Sequence, residues 1–571
     1  MKFIYRAIAL LLVFGVMACD NTELDLLDNP NAVPPANASV TDLYNNIQLD
    51  FDSFFQGAQD NPGSMTRMYA AIGSFVYEGT VSPTSLSGIW FSAYSEMFPD
   101  IDVLVEIAEE VGLNLEAGSA KVMKAYAMIT LVDLFGDVPY SEIGQGVDVI
   151  SPAADPGASV YAAAIALLDE AIAQLEAGGG GNVTDIFYDG DHAKWATLAK
   201  SLKLKAALAT KDASTINALV TAGDLIDASS EDFQFQYGNT RNNPNSRHPN
   251  YNNHYEQGDG DYLSNYYMWL LRADKVDDAG TELRDPRLRY YFKRKVDDAI
   301  DQDQTTFSCH FSILPDQSAA PDHWDAVDPR LPYCVAAADG YSGRDHLNGE
   351  GIPPDGPIRT TYGLYPFGGQ FDDDTFDADG DTRQAGTTGG LGQGISPILL
   401  SSYVDFMRAE AALSLGTSDN ARELLERGMR TSIAKVMSFT DLVPTTMSRL
   451  VEVRGGEPKP VSELFVPTAE EVDTYVNFVL AEYDAADADG KLNVVVREYY
   501  IAAWGNGLEA YNMYRRTGKP DNMMPTLEPD GGNFPRSYPY PDVYVNRNAN
   551  ATQKADLTAR TFWDDGSVVL Y

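Results

Sequence analysis

The sequence predicts a mainly α protein: a tetratricopeptide-like superhelical scaffold of paired helices that carries a loop-rich, ligand-facing insertion. Three observations predict it. Apolar residues recur at helical spacing in consecutive segments closed by Gly or Pro. Those segments are rich in Ala, which lets neighbouring helices approach closely, although no strict 34-residue period is present. Between residues 229 and 394 the texture changes to Gly, Pro, Asn, Asp and Tyr, and helical spacing mostly lapses.

The chain opens on a targeting segment. Lys2 and Arg6 precede an apolar run from Ala7 to Val16 that is too short for a permanent membrane span. The run ends in Val16-Met17-Ala18-Cys19, the layout of a lipoprotein signal over residues 1–18, with Cys19 as the acylated residue. The alternative is an ordinary secretory signal with an incidental cysteine. Lipid chains on Cys19 would anchor the protein on a membrane, since each buried methylene is worth roughly 0.8 kcal/mol. Residues 19–39 are acidic and then Pro-rich, the composition of a tether. No later segment reaches about 18 consecutive apolar residues.

Residues 40–571 read as one domain. Its helical scaffold spans about 40–228 and 395–520, the loop-rich insertion 229–394, and an irregular C-terminal segment 521–571. Within the first part, Ala120 to Phe135 is helical and closes at Gly136-Asp137-Val138-Pro139. The segment after Ser159 places Val160, Ala164, Leu167, Leu168, Ala171 and Leu175 on one stripe and stops at four glycines, 178–181. A partner helix runs from His192 to Ala209. Inside the insertion, only Tyr262 to Arg272 and Asp285 to Lys295 keep helical spacing. Helical texture returns at Pro397 to Leu415, Asn420 to Lys435, Thr468 to Ala485 and Leu492 to Arg516.

A formal charge of −42 repels nucleic acid and anionic headgroups. No His-Glu-x-x-His, Gly-x-Ser-x-Gly, phosphate-cradling Gly-Lys-Ser/Thr loop or zinc-type Cys/His spacing occurs, so the motifs of the common enzyme classes are missing. The chain reads as non-catalytic and in need of no cofactor. Cys309 and Cys334 admit either one disulfide closing a loop of about 25 residues or two buried thiols. The acidic run Asp372 to Asp381, with Asp373, Asp377, Asp379 and Asp381, has oxygen ligands for a structural Ca²⁺ but lacks the full calcium-loop order. A solvated acidic loop is the better reading.

Several segments then resemble one family. Leu131 to Glu142 (LVDLFGDVPYSE), Pro397 to Ala411 with its Arg-Ala-Glu-Ala ending, Trp504 to Gly518 and Phe534 to Pro541 are similar to signatures of the SusD/RagB family of outer-membrane lipoproteins, in the expected order. The resemblance implies a tetratricopeptide-type scaffold, lipid-anchored in the outer membrane and facing the cell exterior. It also implies a partner, a SusC-like TonB-dependent transporter, to which oligosaccharides or, in a RagB-like branch, peptides are delivered. These are scaffold signatures and carry no binding residue with them. Candidates for ligand contact come instead from aromatic rings, whose faces stack on the apolar C–H face of a sugar: Trp90, Tyr251, Tyr255, Tyr266, Trp269, Tyr362 and Tyr365. The competing reading of the same rings is core packing. The competing function is a surface glycosidase, for which the abundance of carboxylates alone is no evidence.

Overall fold

The computed structural model describes residues 39–145, 149–257, 262–277, 279–297, 320–333, 339–349, 359–376 and 386–571. Cys19, Cys309, Cys334, Asp377, Asp379 and Asp381, with the signal and most of the tether, lie outside these residues.

The scaffold begins with α1 (Val40–Met65), started by the Ser39 side chain, which accepts from the Asp42 N–H at 3.3 Å. A helical turn Ser87–Phe91 and a π-helical segment Ser92–Met97 lead directly into α2 (Phe98–Val111). Helix α3 (Asn114–Phe135) has no single polar face, its few polar residues such as Glu116, Lys121 and Asp133 being spread among apolar ones, and it is buried almost throughout because α1, α2, α4 and α5 surround it. Gly118 permits a close approach to α4 (Gly157–Ala177): a Cβ there would stand 2.7 Å from the Leu175 side chain. The stripe predicted for α4 is the buried one, with Val160, Ala164, Leu168, Ala171 and Leu175 facing inward while Leu167 is only partly covered. By length and composition α4 could cross a membrane, but here that stripe packs on its neighbours. Helices α5 (His192–Ala209) and α6 (Ala213–Ala222) complete the first half, each with an aspartate N-cap, Asp191 and Asp212.

The insertion leaves and re-enters the scaffold through one ladder. Strand β1 (Phe233–Gln236) pairs antiparallel with β4 (Ile395–Leu399), Phe235 opposite Ser396. Between them, among the described residues, lie α7 (Asn265–Arg272), the two-residue pair β2 (Phe292–Lys293) and β3 (Thr361–Tyr362), a few short helical turns and irregular chain. The insertion is seated by a ring of aromatic side chains around Trp504. Its indole lies 4.8 Å from Tyr267, 5.1 Å from Phe292, 5.6 Å from Tyr69 and 5.9 Å from Phe367, centroid to centroid. Each such pair adds about 0.5–1.5 kcal/mol beyond area burial.

The second half returns as helix pairs: α8 (Ser401–Ser414) with α9 (Ala421–Met437), and α10 (Ala469–Ala485) with α11 (Ala488–Ala502). Helix α12 (Gly507–Thr517) then packs back on α1 and brings the two halves together. Gly507 is needed there, since a Cβ would meet the Gln59 carbonyl oxygen at 2.2 Å.

Three helix expectations need correction. Pro397 is not helical: it lies in β4, and the helix starts at Ser401 once the strand has paired. The continuous helix expected over Leu492–Arg516 is two helices, broken where Gly505 adopts φ +91° and Asn506 caps α12. Asp285 to Lys295 yields only a turn, Leu288–Tyr291, because its residues are recruited into the β2–β3 pair and into buried ion pairs.

Candidate ligand-binding site

The aromatic residues singled out from sequence are all core residues in this structure. Tyr251, Tyr266 and Tyr362 have no exposure, and the most open of the set, Trp90, retains 8%. Trp90 is enclosed by Tyr94, Phe135 and Tyr544 at 4.6, 5.6 and 4.5 Å. Tyr251 stacks on Tyr255 at 4.8 Å and donates to the Thr388 carbonyl at 2.8 Å. The Tyr255 hydroxyl in turn donates to the Tyr362 carbonyl, which ties that turn to β3. Tyr266 donates to Asn522 at 3.0 Å, Trp269 lies under the Arg330 guanidinium, and Tyr365 stacks on Tyr291. A pyranose needs an open ring face, and here protein covers those faces. The reason is compositional: a long insertion poor in aliphatic residues must use its tyrosines as core.

The described part of the acidic run, Asp372 to Asp374, is likewise committed to side-chain cations. Asp373 accepts from Lys293 at 3.1 Å and from Arg449 at 2.6 Å. Burial opposes its ionisation, but the Lys293 charge and the bonds from Thr375 and Arg449 prevail and hold the carboxyl down at about 2. Asp372 pairs with Arg294 at 2.6 Å and Asp374 with Arg289 at 2.8 Å. Among the described residues no group of three or more His, Cys, Asp or Glu side chains is arranged to hold a metal ion.

Open concave surface lies elsewhere, on the helical scaffold. A cleft of about 430 Å³ is walled by Tyr94, Phe98 and Tyr140, floored by Met128, Leu131, Val138 and Val160, and edged by Asp102, Lys124 and Ser141. Tyr94 comes from the π-helical segment, a distortion frequent at functional sites. Its hydroxyl donates to the Pro139 carbonyl at 3.0 Å. Lys124 forms an ion pair with Asp102 and places its ammonium 5.5 Å from the centre of the Phe98 ring.

The loop after α3 carries Tyr140, 38% exposed, and Asp155 holds that loop in place. Its carboxylate accepts from the Tyr140 and Ser141 N–H groups, each at 2.8 Å, and from the Ser141 hydroxyl at 2.7 Å. Burial raises the Asp155 carboxyl, but these bonds outweigh it and leave the group below the usual aspartate range. The Tyr140 phenol is raised, first by partial desolvation and then by the field of Asp102, Glu170 and Asp155. Aromatic walls, an apolar floor and one charged pair at the rim suit a ligand with one apolar and one hydroxylated face. Sequence reasoning missed Tyr94, Phe98 and Tyr140. Tyr94 and Phe98 follow the singled-out Trp90 at i+4 and i+8, and Tyr140 stands inside the quoted 131–142 segment.

A second cleft, of about 400 Å³, lies between residues 282–289 and the loop before α10. Its Arg289 packs 4.5 Å from the Phe465 ring but is already bonded to Asp374 and to the Asp372 carbonyl.

Comparison with known proteins places two long segments of the chain in one family. Residues 43–312 match the family described as "Starch-binding associating with outer membrane", and residues 394–560 match "Susd and RagB outer membrane lipoprotein". No curated protein matches by sequence. Among solved structures, a SusD/RagB family protein from Bacteroides thetaiotaomicron is 18% identical, with 93% of this chain and 100% of that chain covered and a TM-score of 0.62. A chitin-binding protein is 19% identical, with 92% of this chain and 100% of that chain covered, at a TM-score of 0.61. A chitin-binding SusD homolog from Flavobacterium johnsoniae is 17% identical, covering 92% and 98%, at a TM-score of 0.58. At these identities the likeness shows the fold, and the fold is the paired-helix scaffold expected from sequence.

Proposed function

We propose a function from one premise: this chain belongs to the SusD-like family of outer-membrane lipoproteins. It works as a nutrient-binding protein at the cell surface, held to the outer membrane by lipid on Cys19. It captures oligosaccharides and hands them, unaltered, to a SusC-like TonB-dependent transporter. The observation that carries this reading is the family match over both halves of the scaffold, together with chitin-binding relatives of the same fold.

The physical chemistry agrees. A strongly acidic protein favours neutral ligands over acidic polymers. A non-catalytic role needs binding without bond cleavage, so the test measures both. The soluble chain from Asp20 onward is titrated with chitohexaose and then with other neutral hexasaccharides, and the ligand is recovered and sized. Saturable binding with intact ligand supports capture. New reducing ends would make the protein a glycosidase and overturn the reading. Delivery is tested in cells: deleting the partner transporter abolishes uptake of the bound glycan, and undiminished uptake counts against the handover.

A further inference from the structure

The family reading leaves open where the ligand sits, and the expected place, the insertion, offers only covered rings among the residues singled out. The cleft on the scaffold has a different character. Tyr140 is an exposed aromatic residue whose own N–H, with the N–H and hydroxyl of the neighbouring Ser141, donates to the Asp155 carboxylate and fixes the backbone there. The Val138–Asp155 bridge holds the same loop from its other strand. A ring carried on a backbone fixed this way needs no loop ordering when a ligand packs on it, which lowers the entropic cost of binding.

The rim chemistry selects the ligand class. Asp102 presents acceptor oxygens and Lys124 presents donors, side by side. Two adjacent hydroxyls satisfy both at once, one donating to the carboxylate and one accepting from the ammonium. An acyl chain would strip water from this pair and return no hydrogen bond. An anion would meet the combined field of Asp102, Asp155 and Glu170, the groups that also raise the Tyr140 phenol. A neutral ligand with an apolar face and neighbouring hydroxyls is a saccharide. The volume, about 430 Å³, falls within the range of small-ligand pockets.

We propose that this cleft between α2, α3 and the 136–145 loop is a saccharide-binding subsite, with Tyr140 as the stacking platform and the Asp102–Lys124 pair reading adjacent hydroxyls. The proposal rests on the capture function above and places one contact region on the helical scaffold.

The experiment is calorimetric titration of the soluble chain from Asp20 onward with chitohexaose, maltohexaose, cellohexaose and xylohexaose, for wild type, Tyr140→Ala, Asp102→Ala and Phe91→Ala. Both cleft side chains are solvent-accessible, so the variants fold, and unchanged melting temperatures check this. Phe91, 55% exposed, lies outside the cleft lining and serves as the control. The expected result is at least tenfold weaker binding for Tyr140→Ala, a several-fold loss for Asp102→Ala, and no change for Phe91→Ala. Wild-type affinity in both cleft variants, or a loss confined to Phe91→Ala, overturns the subsite while leaving capture intact. Absence of binding by wild type to all four glycans overturns the capture reading itself, and the subsite with it.

Discussion

Glu410 of α8 accepts two hydrogen bonds from the Arg516 guanidinium of α12, each at 2.9 Å, with both side chains shielded from water. The glutamate belongs to the Arg-Ala-Glu-Ala segment and the arginine to the Trp504–Gly518 segment, so two distant stretches of sequence are joined by one bidentate pair. Burial works against the arginine's charge, but Glu410 prevails and holds its pKa above the ordinary value. Removing one partner strands the other. Arg516→Met or Glu410→Ala therefore costs about 3–5 kcal/mol in urea unfolding, and the double variant Glu410→Leu/Arg516→Met recovers much of that loss. A single-variant cost below about 1 kcal/mol would show that water reaches the pair.

The Asp52 and His248 neighbourhood sets two opposed pH dependences. Asp52 accepts from the Ser396 and Tyr237 hydroxyls, yet burial outweighs both and pushes its carboxyl up to about 6. The folded state therefore binds more protons than the unfolded one between pH 4 and 6, and stability from this residue falls as pH rises through that window. The difference is about 3 kcal/mol. Subtracting the Asp52→Asn profile from that of wild type isolates it, and a flat difference across the window refutes it. His248 is held neutral by burial, with its pKa down at about 3. Here the unfolded state takes the proton first, so stability is lost as pH falls from about 6.5 towards 3. His248→Gln removes that slope, which stability curves in the same pH series read directly.

Gly507 is a close-packing glycine, placed where α12 crosses α1. A methyl group there collides with backbone, the Gln59 carbonyl at 2.2 Å and the Gly63 nitrogen at 2.2 Å, so no side-chain rotation relieves it. Gly507→Ala destabilises the protein by 1–3 kcal/mol or more. Gly88, in an open helical turn with nothing within 4 Å of the added atom, is the matched control. Gly88→Ala stays within about 0.5 kcal/mol of wild type. Equal melting temperatures for the two variants would contradict the close approach of α1 and α12.

Cys19 is the expected point of lipid attachment. Cys19→Ala moves the protein from the membrane fraction to the soluble fraction of the cell. Retention in the membrane fraction would mean that another segment holds it there.

How much was legible differs from one part of the chain to the next. Helices α4 and α5 were readable to within two or three residues, because an amphipathic stripe such as Val160–Ala164–Leu168 is a local, periodic signal. Helix α3 was readable from Ala120 onward but not in its first turns, since a helix buried on nearly all sides has no single polar face to set a phase. The break at Gly505–Asn506 was present in the residues Trp-Gly-Asn-Gly but was overridden by the helical texture on both sides. Within the candidate site, Tyr140 was visible as a residue and invisible as a surface: its exposure depends on Asp155, fifteen positions later, fixing the loop.

By itself the sequence determined the class of fold, the family, the acidic character that favours neutral ligands, and the export signal. These depend on composition and short-range pattern, which the chain carries before it folds. Only the tertiary structure decided which aromatic rings are core and which are surface. Tyr, Trp and Phe have the same apolar faces in either place, and whether a face is covered is settled by residues far away in the chain, as Trp504 covers Tyr267 and Phe292. Tyr140 keeps more than a third of its surface open for the same reason: among the described residues nothing distant folds over it.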